Sequence, residues 1–247
     1  MPVKRSLLAR GAVSPELLQQ LAGSAPDANL DTLAALDETV AAFVPPLPGG
    51  ASHRWQDAII EGLVPRGCSV LDLGCGDGTL LARLMAANDV CAQGVELDQD
   101  TVLQCIERGV PVFHGDLDEG LGGFPDESVD IVILEETLQT LHRPVRVLEE
   151  MLRVGRCGVV SFPNFAHWRV RKALGLGGRM PVTQELPHTW HTTPNIHLCS
   201  IRDFLDWALS ARVRVLDAYV LADGGSRTLC AGDNLTASEA LFVLDRP

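Results

Sequence analysis

The chain has 247 residues, 46% of them hydrophobic and 21% charged, which suits one fully cored domain with an appendage and excludes global disorder. Twenty basic residues stand against 32 acidic ones, a formal charge of −12, so the surface as a whole repels nucleic acid and anionic membranes, and neither partner is expected. The seven cysteines are scattered without a C-x-x-C pair, and no apolar run reaches the roughly 18 residues of a membrane span, so reduced thiols and a cytoplasmic address are expected.

Residues 1–14 carry Lys4, Arg5 and Arg10 but lack the apolar stretch of a secretion signal. Ser14-Pro15-Glu16 reads as an N-cap and first-turn proline, opening a short helix through Leu21. Leu30, Leu33, Leu36, Val40 and Phe43 recur at three- and four-residue spacing and predict a second, amphipathic helix. The Pro/Gly run Pro45–Gly50 then reads as a linker. Residues 1–50 are therefore expected to form a helical appendage, and 51–247 a domain of their own.

The most informative stretch follows. Ser69–Leu73 is a short apolar run, the pattern of a buried strand, and it passes straight into Gly74-Cys75-Gly76-Asp77-Gly78 and then a helical pattern from Thr79. Alternate glycines let the chain turn sharply and let a ligand approach the main chain, while the N–H groups of the next helix face the same space. The spacing G-x-G-x-G matches neither the dinucleotide pattern G-x-G-x-x-G nor a phosphate loop. Asp72 and Asp77 would repel a pyrophosphate but suit a ligand with an amino group and a sulfonium cation. The loop resembles motif I of class I S-adenosylmethionine-binding proteins.

Cys91–Leu97 predicts a second strand, with Glu96 lying 22 residues beyond Gly74, placed to accept both hydroxyls of a ribose or else a solvated strand end. Asp98 and Asp100 are expected to cap a helix over Gln99–Arg108. Val110–Asp116 predicts strand three; its terminal Asp116 is divided between adenine contact, which the superfamily resemblance implies, and a helix cap. Further strands are predicted at Val129–Leu134, Cys157–Phe162, Val213–Leu221 and Ala240–Leu244, with helices at Pro144–Val154 and Ile201–Ser210 and an irregular insert over about 163–199. Alternating strands and helices predict an α/β fold, a doubly wound and mostly parallel sheet of seven strands whose last strand is antiparallel. That is the Rossmann-like arrangement of class I methyltransferases. The expected cofactor set is Asp72, Gly74, Cys75, Gly76, Asp77, Gly78, Glu96, Leu97, Asp116, Leu117 and Glu135, around S-adenosylmethionine or S-adenosylhomocysteine.

The segments after strands four and five separate the classes of such enzymes. Glu135-Glu136-Thr137-Leu138-Gln139 is not the Asp/Asn-Pro-Pro-aromatic signature of amino-methylating nucleic-acid enzymes, no Pro-Cys nucleophile is present, and Glu135 with Glu136 does not make a metal constellation. No residue stands out as a general base, so no catalytic residue is assigned; methyl transfer can proceed by proximity alone to a reactive acceptor. Asn164, His167, Trp168 and Arg169 lie just past strand five, where they could line an acceptor pocket or a partner surface, or pack in the core. Arg169, Arg171, Lys172 and Arg179 read as a solvated basic helix face ahead of a binding patch. His188, Trp190, His191, Asn195, His197 and Cys199 match no standard zinc spacing and are expected in loop packing or pocket lining, with no metal.

Long phrases carry a closer resemblance: Gly115–Leu121, Val147–Gly155, Ser161–Arg171, Gly178–Thr183 and Thr193–Cys199 look like the methionine biosynthesis protein MetW family over about residues 56–246. The resemblance implies a methyltransferase fold, a cytoplasmic protein, and homoserine O-acyltransferase as partner. It leads to a cofactor-binding regulatory partner of that enzyme; a small-molecule methyltransferase and a scaffold that has lost its ligand are the other readings. Two features depart from the family pattern: Glu136 stands where glutamine is usual, and the 50-residue N-terminal segment is additional.

Overall fold

A computed structural model describes residues 13–23 and 54–246. The predicted helix through Leu30 and Phe43 and the Pro/Gly linker lie outside the described residues. Helix α1 (Pro15–Gly23) begins where the N-cap predicts, Ser14 Oγ accepting the Leu17 N–H at 3.1 Å. Val13 N donates to Val215 O at 2.9 Å, and Leu18 is buried in the main core, so this segment is tied to the body of the protein.

Eight strands form one sheet. β1 (Ser69–Leu73), β2 (Cys91–Glu96), β3 (Val112–His114), β4 (Val129–Glu135) and β5 (Gly155–Pro163) are parallel. β6 (Arg214–Ala222), β7 (Gly225–Thr228) and β8 (Ala237–Asp245) complete it, in the order β3-β2-β1-β4-β5-β8-β6-β7. β8 inserts antiparallel between β5 and β6, as expected of the last strand. The seven-strand expectation is one short: β7 is a hairpin extension of β6, and its four residues, Gly-Ser-Arg-Thr, are all exposed. With no buried face, it carries no apolar alternation to detect.

The helices are α2 (Trp55–Leu63), α3 (Thr79–Asn88), α4 (Gln99–Glu107), α5 (Pro144–Val154), α6 (Trp168–Gly175), α7 (Ile201–Ser210) and the single turn α8 (Asp233–Thr236). Helix α2 was not expected; α6, inside the insert, carries the basic face read at Arg169, Arg171 and Lys172 but buries Trp168 and Val170 on its other side. Helix α7 starts on a reciprocal cap in which Ser200 Oγ accepts from Asp203 N and Asp203 Oδ2 from Ser200 N, both at 3.1 Å.

Period-two alternation splits the central strands between two cores. Leu71, Leu73, Val132, Leu134, Val160 and Phe162 point to one face, against α5, α7 and Leu18 of α1. Val70, Ile131, Ile133 and Val159 point to the other, against α2, α3 and Cys105 of α4. The result is three layers, helix–sheet–helix. The strand order reverses between β1 and β4, so their carboxyl ends diverge into the crevice where open α/β sheets place ligands.

Candidate functional site

The glycine loop sits in that crevice. Gly74, Gly76 and Gly78 take φ of 76°, 54° and 74°, a region closed to most side chains. Two are also pressed by neighbours: a Cβ on Gly74 would lie 2.5 Å from Thr137 Oγ1, and one on Gly78 would lie 3.1 Å from Cys105 Sγ. Beside Gly76 there is open space, so the middle of the loop is bare main chain. The loop is laced to β2, with Gly74 N and Cys75 N donating to Val95 O at 2.8 and 3.2 Å. Gly94 leaves room for the buried Cys75 side chain, which a Cβ there would strike. Burial, then the charge of Asp72, pushes the Cys75 thiol up and leaves it unreactive.

Glu96 locks this rim. Its Oε2 accepts from Gly76 N at 2.9 Å, and its Oε1 accepts from Leu97 N at 2.8 Å and Asp98 N at 3.0 Å. Asp77 bonds Thr79 N at 3.1 Å and pairs with Arg108 at 2.9 Å. Burial works against the Asp77 charge, but the Thr79 bonds and the nearby arginine hold its carboxyl below the usual range. Leu97 is exposed, with its carbonyl 2.9 Å from His114 Nε2. Asp116 caps the next turn, its Oδ1 accepting from Asp118 N at 2.8 Å, and Leu117 is buried beneath it.

The floor of the crevice has the opposite character. Asp72, at the end of β1, is buried and its Oδ1 has no hydrogen-bond partner. Burial, reinforced by the charge of Glu135, holds its carboxyl well above the usual range. Glu135, at the end of β4, is pushed up to about 7 by burial, with Asp57 and Glu136 adding to the shift and Arg54 opposing it. Its Oε1 makes no hydrogen bond and faces the half-exposed Arg54 at 3.6 Å. Asp57 is taken by Arg83 at 2.7 Å.

Sequence reading missed part of this floor and the polar corner beside it. Arg54, Gln56 and Asp57 come from α2 and its N-cap, more than a dozen residues before the glycine loop, and Glu239 from β8 near the chain's end. Gln56 Nε2 donates to Glu136 Oε1 at 2.9 Å and Glu239 Oε2 at 2.6 Å. The one available signal was the polar pair Gln56-Asp57 inside an otherwise apolar helical pattern, Trp55–Leu63.

Of the four residues past β5, three are inside. Asn164 is 1% exposed; its Nδ2 bonds Ala237 O at 2.7 Å and Asn234 O at 3.1 Å, while its Oδ1 accepts from Ala166 N at 3.1 Å. It joins β5, α8 and the start of the insert. His167 is buried, and burial pushes it down to about 4, so it is neutral at physiological pH. Trp168 is buried and stacks under the Arg169 guanidinium at 5.2 Å. Farther on, His188, Trp190 and Asn195 line a cavity of about 230 Å³ with Phe165, Met180 and Ile196. Among the described residues, no three His, Cys, Asp or Glu side chains converge as a metal site. The insert is pinned to the crevice where Ile196 N and His197 N both donate to Gln139 O, at 2.8 and 3.0 Å.

These features fit one ligand chemistry. A bare glycine main chain can lie against a nucleoside, and Glu96, already fixed by three N–H groups, can accept from a ribose. The floor offers carboxylate oxygens without hydrogen bonds for a sulfonium and an ammonium, with the half-exposed Arg54 beside Glu135 to meet a carboxylate. S-Adenosylmethionine carries all of these groups.

A bifunctional methionine biosynthesis protein MetXA/MetW of Rhodopirellula baltica is 38% identical over 203 residues, covering 77% of this chain and 32% of that protein. The chain thus spans about a third of that relative's length. Among solved structures, a SAM-dependent methyltransferase of Thermotoga maritima superposes with a TM-score of 0.57 at 17% identity, over 78% of this chain and 88% of that one. One from Mesorhizobium loti also gives 0.57, at 15% identity, over 80% and 100%. At such identities these two show the fold alone. The family model for methionine biosynthesis protein MetW matches residues 54–244, most of the chain and all of the crevice just described, and the chain belongs to that family.

Proposed function

We propose that the chain binds S-adenosylmethionine or S-adenosylhomocysteine in the crevice and acts as a regulatory partner of homoserine O-acyltransferase. The observation that carries the partner is the relative in which MetXA and MetW are joined in one polypeptide. In this reading residues 51–247 are the cofactor-binding unit and 1–50 an appendage. Gly74–Gly78 approach the nucleoside, Glu96 takes the ribose hydroxyls, and Asp116 lies toward the adenine. Asp72 and Glu135 meet the cationic end while Arg54 meets the carboxylate. S-Adenosylmethionine, when bound, would supply an electrophilic methyl group, whereas S-adenosylhomocysteine carries none. Regulation requires only a coupling free energy between crevice and interface, typically about 1–3 kcal/mol. Gln139, whose carbonyl holds the insert, supports a route for it.

The test is to purify the chain with a homoserine O-acyltransferase and follow acyl transfer with and without it, at zero and saturating S-adenosylmethionine. A complex and a cofactor-dependent change in rate are expected. No complex and no rate change would sink the proposal.

A second reading, methyl transfer to a small molecule, draws support from Glu135. A carboxyl pushed up to about 7 on the crevice floor is suited to accept a proton from an acceptor. Transfer of labelled methyl groups to a metabolite mixture, lost in Glu135→Gln with cofactor affinity retained, would favour that reading.

A further inference from the structure

At the corner where α2 meets the ends of β4 and β8, a second set of polar side chains lies apart from the glycine loop. Glu136 leaves β4 at a φ of 47°, held by its own N–H, which reaches Ser161 O at 3.1 Å and Ser161 Oγ at 3.2 Å. Glu239 comes from β8, paired with Pro163 of β5. The Gln56 amide nitrogen bridges the two carboxyls, and Trp55 Nε1 donates to the same Glu239 oxygen. Gln56 is 1% exposed, yet its Oε1 has no hydrogen-bond partner.

Donors are short here. Among the described residues no ion pair reaches Glu136 or Glu239, because Arg54 faces Glu135 and Arg83 holds Asp57 and Glu61. The two carboxyls share two N–H groups and a contact with each other, while the buried amide oxygen has no hydrogen bond. Leaving that oxygen unsatisfied in a buried place costs stability. Burial first, and then the charge of Glu136, push Glu239 up, and Glu185 of the insert adds to the effect.

The missing partner can be described by counting. It must bring positive charge, several N–H donors and small size. A guanidinium spreads five donors over a flat fork, whereas a primary ammonium offers three from one compact centre. Three acceptor groups surround the corner: Glu136, Glu239 and Gln56 Oε1. Glu136 is only partly buried, so the corner is reachable from solvent. We propose that Gln56, Glu136 and Glu239 form a subsite for the ammonium group of a small primary amine, separate from the glycine loop.

Calorimetry on the full chain saturated with S-adenosylhomocysteine tests this, with n-butylamine hydrochloride as probe and n-butanol and sodium butyrate as controls. Saturable butylammonium binding is expected, weakened about tenfold or more in both Glu136→Gln and Glu239→Gln, with no binding of butanol or butyrate. Both variants should still bind S-adenosylhomocysteine saturably, which shows that they fold. Glu136→Gln, at a partly exposed position and with the same shape, keeps the test decisive if Glu239→Gln fails to fold. No saturable amine binding, equal binding by the variants, equal binding of butanol, or displacement of the amine by S-adenosylhomocysteine would each overturn the proposal. Failure of the cofactor reading shows separately, as the absence of any heat from S-adenosylhomocysteine; the amine titration is then decisive on the ligand-free chain.

Discussion

The rim and the floor of the crevice are both acidic, but they solve the problem of their charge differently. On the rim, Glu96 receives three backbone N–H groups, and Asp77 receives Thr79 and Arg108, so both carboxylates are fixed before any ligand arrives. On the floor, Asp72 and Glu135 are buried with unbonded oxygens, and burial raises both. A preorganised rim gives geometry, whereas an unsatisfied floor gives a demand for positive charge that is met only when a cation enters. The floor carboxylates thus cost stability in the free protein and favour binding of a cationic ligand.

Breaking the rim should have the largest effect. Gly74→Ala forces a side chain into positive φ and against Thr137, a cost on the order of 3 kcal/mol, with S-adenosylhomocysteine binding lost. Urea unfolding and calorimetry measure both; a variant of wild-type stability would show that the loop is not held where it is drawn. Next comes Glu96→Ala, which removes a charged acceptor from three N–H groups and should weaken S-adenosylhomocysteine about 10- to 100-fold. A change of less than threefold would take the ribose contact away from Glu96.

The floor responds to pH instead. The Glu135 carboxyl goes from 4.5 to about 7 on folding, so between those values the folded state binds more protons than the unfolded one. Its contribution is therefore favourable at low pH and is lost as pH rises through about 7. The ligand-free Glu135→Gln variant should be more stable than wild type above pH 7, by on the order of 2 kcal/mol, with the gap closing toward pH 4.5. Thermal melts across that range check it. A constant gap would mean that the floor carries no raised carboxyl.

Most of the fold was legible because its elements advertise themselves locally. β1, β4 and β5 each carry a short apolar stretch, and α5 and α7 begin at a first-turn proline and a Ser–Asp capping box. The loop was legible because only glycine tolerates three positive φ values in five residues. The hairpin strand β7 was not, since its pairing with β6 rests on backbone bonds alone. Nor was the buried side of α6, since Trp168 and Val170 are set in a basic helix that reads as solvated.

Asn164 marks the same limit within the site. Its place after β5 suggests a surface over the crevice, yet its amide is consumed in joining three backbone segments. Gln56 and Glu239 mark it from the other side. They lie 183 residues apart and meet only because α2 packs over the sheet end that β8 completes.

The sequence by itself therefore determined the family: glycine spacing, the carboxylates of successive strand ends and the family phrases are local facts that survive without coordinates. Only the tertiary structure decided which acidic groups are satisfied and which are not. Hydrogen-bond satisfaction and desolvation depend on what packs against a side chain, and that is set by parts of the chain far away in sequence.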